Sequence, residues 1–418
     1  MCSLKTGIGR KLPLLFTMKC MPHQTGNMNI LAFITFFCIS HSLFSKIIYA
    51  ATTDFEDVNR AVSKANAGDV VQLPEGTSDW GSYTLKVKGG ITIKGIDSTK
   101  TMIKRTVPTT NFLVVFDGSN GFANELHNIK FEYIHSFSKS GIHTISKVKS
   151  SGVYLSHGCR NFKVSGCYFK GFTNTALQVG HSNLQQGVIY HNSFVNNYQE
   201  GIYLGYGVAV YGDRKIWPSG DVQLGTKNAV FVEDNYFYGN RHHIASNNSS
   251  RYVFRYNTVI HTDLVKNYAM TDAHGPSKSS GYNGSFSFEI YENTYRFETT
   301  DSLAKAGAAI GIRGGNGVIF NNSVTSNIVK TVHLYLENKE LRGASSIQQG
   351  TNELYIWNNS HNDHLYKSWR IYQDLNKRTY HLGISSDCPQ SIQLGIHYFI
   401  KKPAKYLPFT YPHPLRKA

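Results

Sequence analysis

Residues 240–248, Asn240-Arg241-His242-His243-Ile244-Ala245-Ser246-Asn247-Asn248, hold a guanidinium, two imidazoles and three amides in one short span. These groups handle carboxylates and protons. A guanidinium grips a carboxylate through two parallel hydrogen bonds. An imidazole titrating near about 6.5 takes up a proton at neutral pH, and a neighbouring carboxylate orients the ring and raises its basicity. Possible partners lie on either side: Tyr198 and Glu200 upstream, Asp272 and His274 downstream, and Arg313 within the glycine-rich residues 311–317, where a long ligand could approach the backbone. His242, His243 and His274 are the candidate bases, and Tyr198 or Tyr203 the candidate acid. Arg241, Glu200, Asn247, Asn248, Asp272 and Arg313 are the candidate substrate-binding residues. The ordinary alternative is a set of exposed polar side chains pairing across a scaffold.

Which reading holds depends on the elements that carry these residues. A pattern of apolar, any, any, Asn, any, apolar recurs around Asn192, Asn235, Asn257, Asn293 and Asn322, with degenerate copies at Cys167 and Asn359. The successive steps are 25, 43, 22, 36, 29 and 37 residues, which is a minimum coil of about 22 residues with insertions. Such a repeat suits a parallel β-helix, whose coils stack at about 4.8 Å so that equivalent positions form columns. Asparagine tolerates a left-handed turn and can pass its amide to the next coil, so these residues are expected to be scaffold. Counting from the asparagines places Glu200 beneath His243 and Tyr198 beneath Arg241. It also places Arg255 over Glu233, where a cross-strand ion pair explains it without catalysis.

The ends complete the expected fold. Residues 54–67 show helical apolar spacing and would plug the open end of the stack, and residues 68–76 read as a strand ended by a turn. The expectation is an all-β protein, a single-stranded right-handed parallel β-helix with an N-terminal capping helix over residues 51–418. Residues 29–44 form an apolar run of signal-peptide length, and Ala50 is a small residue suited to cleavage. Residues 1–50 are therefore read as signal peptide and upstream leader, with Met18 or Met28 as the true start. The run is shorter than the roughly 20 apolar residues of a spanning helix. This points to a secreted or periplasmic protein without stable membrane insertion. Three cysteines remain, Cys159, Cys167 and Cys388, an odd number that makes no disulfide framework.

Beyond the leader, 38 basic residues face 27 acidic ones, a net charge of +11 that favours an anionic partner. There is no zinc-ligand spacing, helix-turn-helix pattern or concentrated basic helix, which argues against nucleic acid. For an exported chain the expected partner is an acidic polysaccharide.

The segment GDVVQLPEGT at residues 68–77, followed by coils of the asparagine type, resembles the pectate-lyase-like superfamily of right-handed parallel β-helices. The resemblance covers most of residues 54–415. The nearest local likeness is to the alginate-lyase and chondroitin-lyase group, whose Glu-Ile-Ile-Ser-Asn-Lys-like segment is matched by residues 243–248 and whose Arg-His-Gly segment is matched by residues 273–275. It implies a secreted polysaccharide lyase that cleaves a uronic-acid polymer by β-elimination. The chain departs from that group at the reacting positions: Asn248 stands where the group has its catalytic lysine, Ala273 where it has arginine, and Arg241 and His243 where it has calcium-binding glutamates. No metal ligand is assigned on this reading, although calcium is not excluded. Arg241 could take the carboxylate in the metal's place. A uronate C5-epimerase starts from the same proton abstraction. A glycoside hydrolase needs two carboxylates flanking the bond, and no such pair is evident. A non-catalytic glycan-binding protein or adhesin needs only a basic face rich in aromatic residues, which make up 13% of the chain.

Overall fold

The computed structural model describes residues 45–134, 149–182, 185–198, 204–263, 265, 269–276, 283–304, 306–325, 327–334, 350–361, 364–366, 371–373, 392 and 394–417. They form three long sheets of 12, 10 and 11 strands, in which each strand pairs with the equivalent strand of the next coil. The pairing is parallel throughout, apart from Asn359–His361 with His364–Tyr366, which is antiparallel. Crossovers between parallel strands take the right hand, and the chain is a right-handed parallel β-helix.

The asparagine repeat sets the stacking. Asn192, Asn235, Asn257, Asn293, Asn322 and Asn359 form one buried column, each donating from Nδ2 to Oδ1 of the next at 2.8–3.1 Å. The residue before each asparagine has positive φ (His191, Asp234, Tyr256, Glu292, Asn321, Asn358), so a left-handed corner recurs on every coil. Each such bond contributes about 0.5–1.5 kcal/mol net. Inside the stack, Phe131, Phe169, Phe194 and Phe237 follow one another with ring centroids 5.4, 5.0 and 4.8 Å apart. Cys159 and Cys167 are buried free thiols.

At the lower end the helix Phe55–Lys64 buries Val58, Ala61 and Val62 and packs on the first strands, Ile47–Tyr49, Val70–Gln72 and Leu85–Val87. Its acidic first turn and basic last turn suit the helix dipole. The strand Ile47–Tyr49 lies within the stretch read as leader, yet it pairs with Val70–Gln72 and is followed by buried Ala50. At the upper end the chain returns along the outer face of the 12-stranded sheet, from Tyr406 to Arg416, and is fastened there by Arg255 and Glu289. Among the described residues no helix is long and apolar enough to cross a membrane.

Candidate functional site

The strand His242–Asn247 belongs to the 10-stranded sheet and divides the opening stretch between two environments. Asn240 precedes it and belongs to a second amide ladder, its Oδ1 accepting from Asn197 Nδ2 at 2.8 Å. Ile244 packs in the lumen, and Ala245 faces out beside Ala209 and Tyr206. Asn248 is buried in the turn that follows, with φ of 56° and its N–H donated to Asn283 O. It is a turn residue, not a substrate ligand.

His243 also leaves the candidate site. It is completely buried, edge-on to Phe237 and to His261 at centroid distances of 5.9 and 5.8 Å. Gly207 lies at the equivalent position of the coil below, where a Cβ would stand 2.7 Å from His243 O. Asn240 Nδ2 lies 3.1 Å from His243 Nδ1, whereas His243 Nε2 has no hydrogen-bond partner. Burial, followed by the charges of His261 and His242, pushes the His243 pKa well below its ordinary value. A base sealed in the lumen cannot meet a polymer.

On the outer face the next two coils close around Asp272. Pairing of Ala245 with Asp272 and of Asp272 with Gly311 stacks three coils, and the glycine leaves the space above the carboxylate open. Asp272 is fully buried. Arg313 donates Nε to Oδ1 at 2.9 Å and Nη2 to Oδ2, the fork that fits a carboxylate. His274 Nε2 stands 2.9 Å and His242 Nε2 3.4 Å from Oδ2. Burial alone would raise the Asp272 pKa. Arg313, then His274 and His242, more than reverse this and hold it well below the usual carboxylate range.

His242 Nδ1 lies 2.5 Å from Ala269 O, and burial, then the charge of Arg241, pushes the His242 pKa well below its ordinary value. It stacks on Tyr206, with centroids 5.5 Å apart. Arg241 Nη1 donates to Tyr206 Oη at 3.2 Å. Burial raises the Tyr206 pKa against the pull of Arg241, so the phenol stays protonated at neutral pH. Asn247 is half-buried at the edge of this group, next to Tyr211 in register, with its Oδ1 accepting from Asn248 N at 2.8 Å.

The structure therefore brings together Arg241, His242, Asp272, His274 and Arg313, with Asn247 at the edge. The count from the asparagine ladder failed for the coil below. Tyr198 was expected beneath Arg241, but the register places Tyr206 beneath His242. Tyr198 is buried, and Gly205, at φ of 109°, adjoins it so closely that a Cβ would stand 2.0 Å from Tyr198 Cα. Glu200 and Tyr203 lie outside the described residues. Tyr206 is the candidate residue the count missed. Aligning Val208-Ala209 with Ile244-Ala245 would have found it, because both are an inward apolar residue followed by an outward alanine.

The donor set does not suit calcium. Calcium takes six to eight oxygen ligands, whereas this cluster has one carboxylate, already held by Arg313 and surrounded by nitrogen donors. Among the described residues no group of three or more His, Cys, Asp or Glu converges to hold a metal ion.

No protein-family model matches the sequence, and no curated protein matches it. Among solved structures the chain is similar to ORF18 of Geobacillus virus E2, at 13% identity and a TM-score of 0.45, covering 75% of this chain and 57% of that one. It is similar to the Dettilon tailspike protein at 14% identity and a TM-score of 0.47, covering 75% and 54%. It is also similar to an alginate lyase from Paenibacillus sp. str. FPU-7, at 15% identity and a TM-score of 0.41, covering 76% and 87%. The chain thus spans little more than half the length of the first two of these proteins. Each is a likeness of fold alone. The class defined by the three parallel sheets is the right-handed parallel β-helix, with one outward cationic cluster around a buried carboxylate.

Proposed function

We propose that this protein is an exported polysaccharide lyase that cleaves a uronic-acid-containing polymer by β-elimination at the Asp272 cluster. The observation that carries the reading is the gathering of an Asp-oriented imidazole, His274, with a guanidinium and a phenol, Arg241 and Tyr206, on the outer side of one sheet, where His274 and Arg241 are half-buried and Tyr206 is buried behind them. Arg241 neutralises the uronate carboxylate, which makes the neighbouring C5 proton more acidic. With Nε2 held by Asp272, His274 is the base that takes that proton. The C5–H electrons form the C4–C5 double bond as the C4–O bond breaks. Tyr206 gives its proton to the departing oxygen, Arg241 stabilises the transient phenolate, and the proton held by His274 passes through solvent to restore the phenol, which returns both groups to their starting states. Arg313 and His242 are positioning residues, one holding Asp272 and the other stacking on Tyr206.

Incubation with alginate, pectate and glycosaminoglycans is expected to raise ultraviolet absorbance from the unsaturated product for one polymer class. His274→Ala and Tyr206→Phe should each lower kcat by about 10²–10⁴-fold. Arg241→Ala should lower kcat as well as raise KM, because Arg241 both binds the carboxylate and stabilises charge that develops in the transition state. Inverted C5 configuration without absorbance would instead identify an epimerase, and polymer shortening with new reducing ends but no absorbance would identify a hydrolase. Tight binding with no product from any polymer would sink the enzymatic reading.

A further inference from the structure

A different flank carries a second constellation. On the outer side of the 12-stranded sheet, pairing places Tyr291, Phe320 and Trp357 in one column on three successive coils. Their rings stack at centroid distances of 4.5 and 4.3 Å, with interplanar angles of 12° and 5°. Tyr406 stands edge-on to Phe320 at 5.9 Å and to Trp357 at 6.0 Å. Between these rings and Pro408 opens a pocket of about 260 Å³, with Asn321, Asn358 and Lys402 completing its lining. Asn321 and Asn358 are the exposed left-handed corner residues of adjacent coils, at φ of 52° and 50°. Asn321 Nδ2 donates to Glu292 Oε1 at 2.7 Å, which turns its carbonyl oxygen to other use.

Several features point to one kind of occupant. No carboxylate lines the pocket. Residues 400–417, which supply its outer wall, hold five lysines and arginines and no acidic residue. The lining is thus aromatic on one side, amide on another and cationic at the mouth. A pyranose ring bearing a carboxylate presents the complementary surfaces: C–H faces that pack on aromatic rings, hydroxyls that pair with amides, and an anion for an ammonium group. A cavity of this size encloses about one such ring, and the exposed corner asparagines leave room for the chain to continue outward.

We infer that the Trp357 pocket is an accessory binding site for a single uronate unit of an acidic polysaccharide, separate from the Asp272 cluster. It takes its substrate class from the proposed function but not its location or its evidence. The site would hold the polymer near the protein while cleavage proceeds elsewhere, so its loss should weaken retention on long chains and leave turnover of short ones unchanged.

The test is calorimetric titration of saturated tetramers of galacturonate, mannuronate and guluronate into the His274→Ala/Arg241→Ala protein, in which the first site is disabled. One binding event should remain for one tetramer. Lys402→Glu, a change at an exposed side chain, should weaken it about tenfold. Trp357→Ala should abolish it, and Trp357→Phe, which keeps the stacked column, should retain it in part. A neutral tetrasaccharide of equal length should bind at least about tenfold more weakly. Unchanged affinity in both Lys402→Glu and Trp357→Ala would overturn the assignment, as would equal affinity for neutral and charged tetramers. If the parent protein cleaves a polymer while the disabled variant shows no binding, this inference falls and the proposed activity stands. Binding here with no cleavage of any polymer gives the reverse.

Discussion

Asp272 and Glu233 are both fully buried carboxylates on outward-facing positions, each gripped by an arginine from the following coil. Around Glu233 every strong donor ends on the protein's own chain. Arg255 gives Nε to Glu233 at 2.7 Å, Nη1 to Phe409 O at 2.6 Å and Nη2 to Thr410 O at 2.9 Å, while His413 N and Arg416 complete the carboxylate. Two carboxylates, Glu233 and Asp234, balance two guanidiniums there. Around Asp272 one carboxylate faces Arg241, Arg313 and two histidines, and the side chains of His274 and Arg313 retain 22% and 13% exposure against 0% for Arg255. An arginine–carboxylate pair therefore carries little information by itself. It fastens the fold when its remaining donors are spent on backbone under a covering segment, and it becomes available for chemistry when the surplus charge faces outward.

Removing one guanidinium from each region should produce opposite outcomes. Arg255→Leu leaves Phe409 O and Thr410 O without their donor and Glu233 undercompensated in a buried site, and should cost about 3–5 kcal/mol of unfolding free energy. Arg241→Leu removes a half-buried side chain from an already cation-rich cluster and should cost under about 1 kcal/mol while weakening binding of acidic polymer. Chemical denaturation of the two variants, alongside polymer binding, checks both. If Arg241→Leu destabilises as severely as Arg255→Leu, the outer cluster is a structural fastening as well.

Acid should separate the regions next. Burial lowers His413 and His261 to about 4, from an ordinary value near 6.5. Below pH 6.5 the unfolded chain binds protons that these folded imidazoles refuse, so stability falls as pH drops from about 6.5 to 4 and then levels, by roughly 3 kcal/mol for each group. Asp272, held well below 3.8, contributes stability that persists across the whole of that window and is lost only at lower pH. His413→Gln should flatten the measured slope of unfolding free energy against pH by one group's share. An unchanged slope would remove His413 from the account.

These contrasts explain which parts of the molecule were legible in the sequence. The amide ladder was, because a short side chain that accepts a left-handed corner and bonds up and down the stack restricts the position to very few residue types. The Glu233–Arg255 pair was legible too, since both flank that ladder at a fixed offset. Tyr206 was hidden because a count by sequence position separates Gly205 from Tyr198, whereas the two lie side by side. His242 and His243 could not be told apart by type. Only the strand register, with Gly207 making room beneath His243, sends one ring outward and the other into the lumen. The C-terminal segment was invisible for a further reason: its contacts to Glu233 and Asp234 span about 180 residues of sequence.

Tyr411 offers the finest division between the two regions. Its phenol donates to Asp234 at 2.8 Å, and its ring stacks on Tyr256 at a centroid distance of 3.7 Å. Burial, then Asp234, pushes the Tyr411 pKa up to about 12, so the hydrogen bond is present throughout the neutral range. Tyr411→Phe keeps the stacking and removes only that bond, and Asp234 retains Arg416. The expected loss is about 1 kcal/mol, read as a lower denaturant midpoint with an unchanged m-value. Polymer turnover should not move, because the bond lies on the covered sheet and Arg241, Asp272 and His274 belong to another. A fall in turnover without unfolding would mean that the C-terminal segment and the outer cluster are energetically coupled. The division drawn from Arg255 and Arg313 would then give way to a single network.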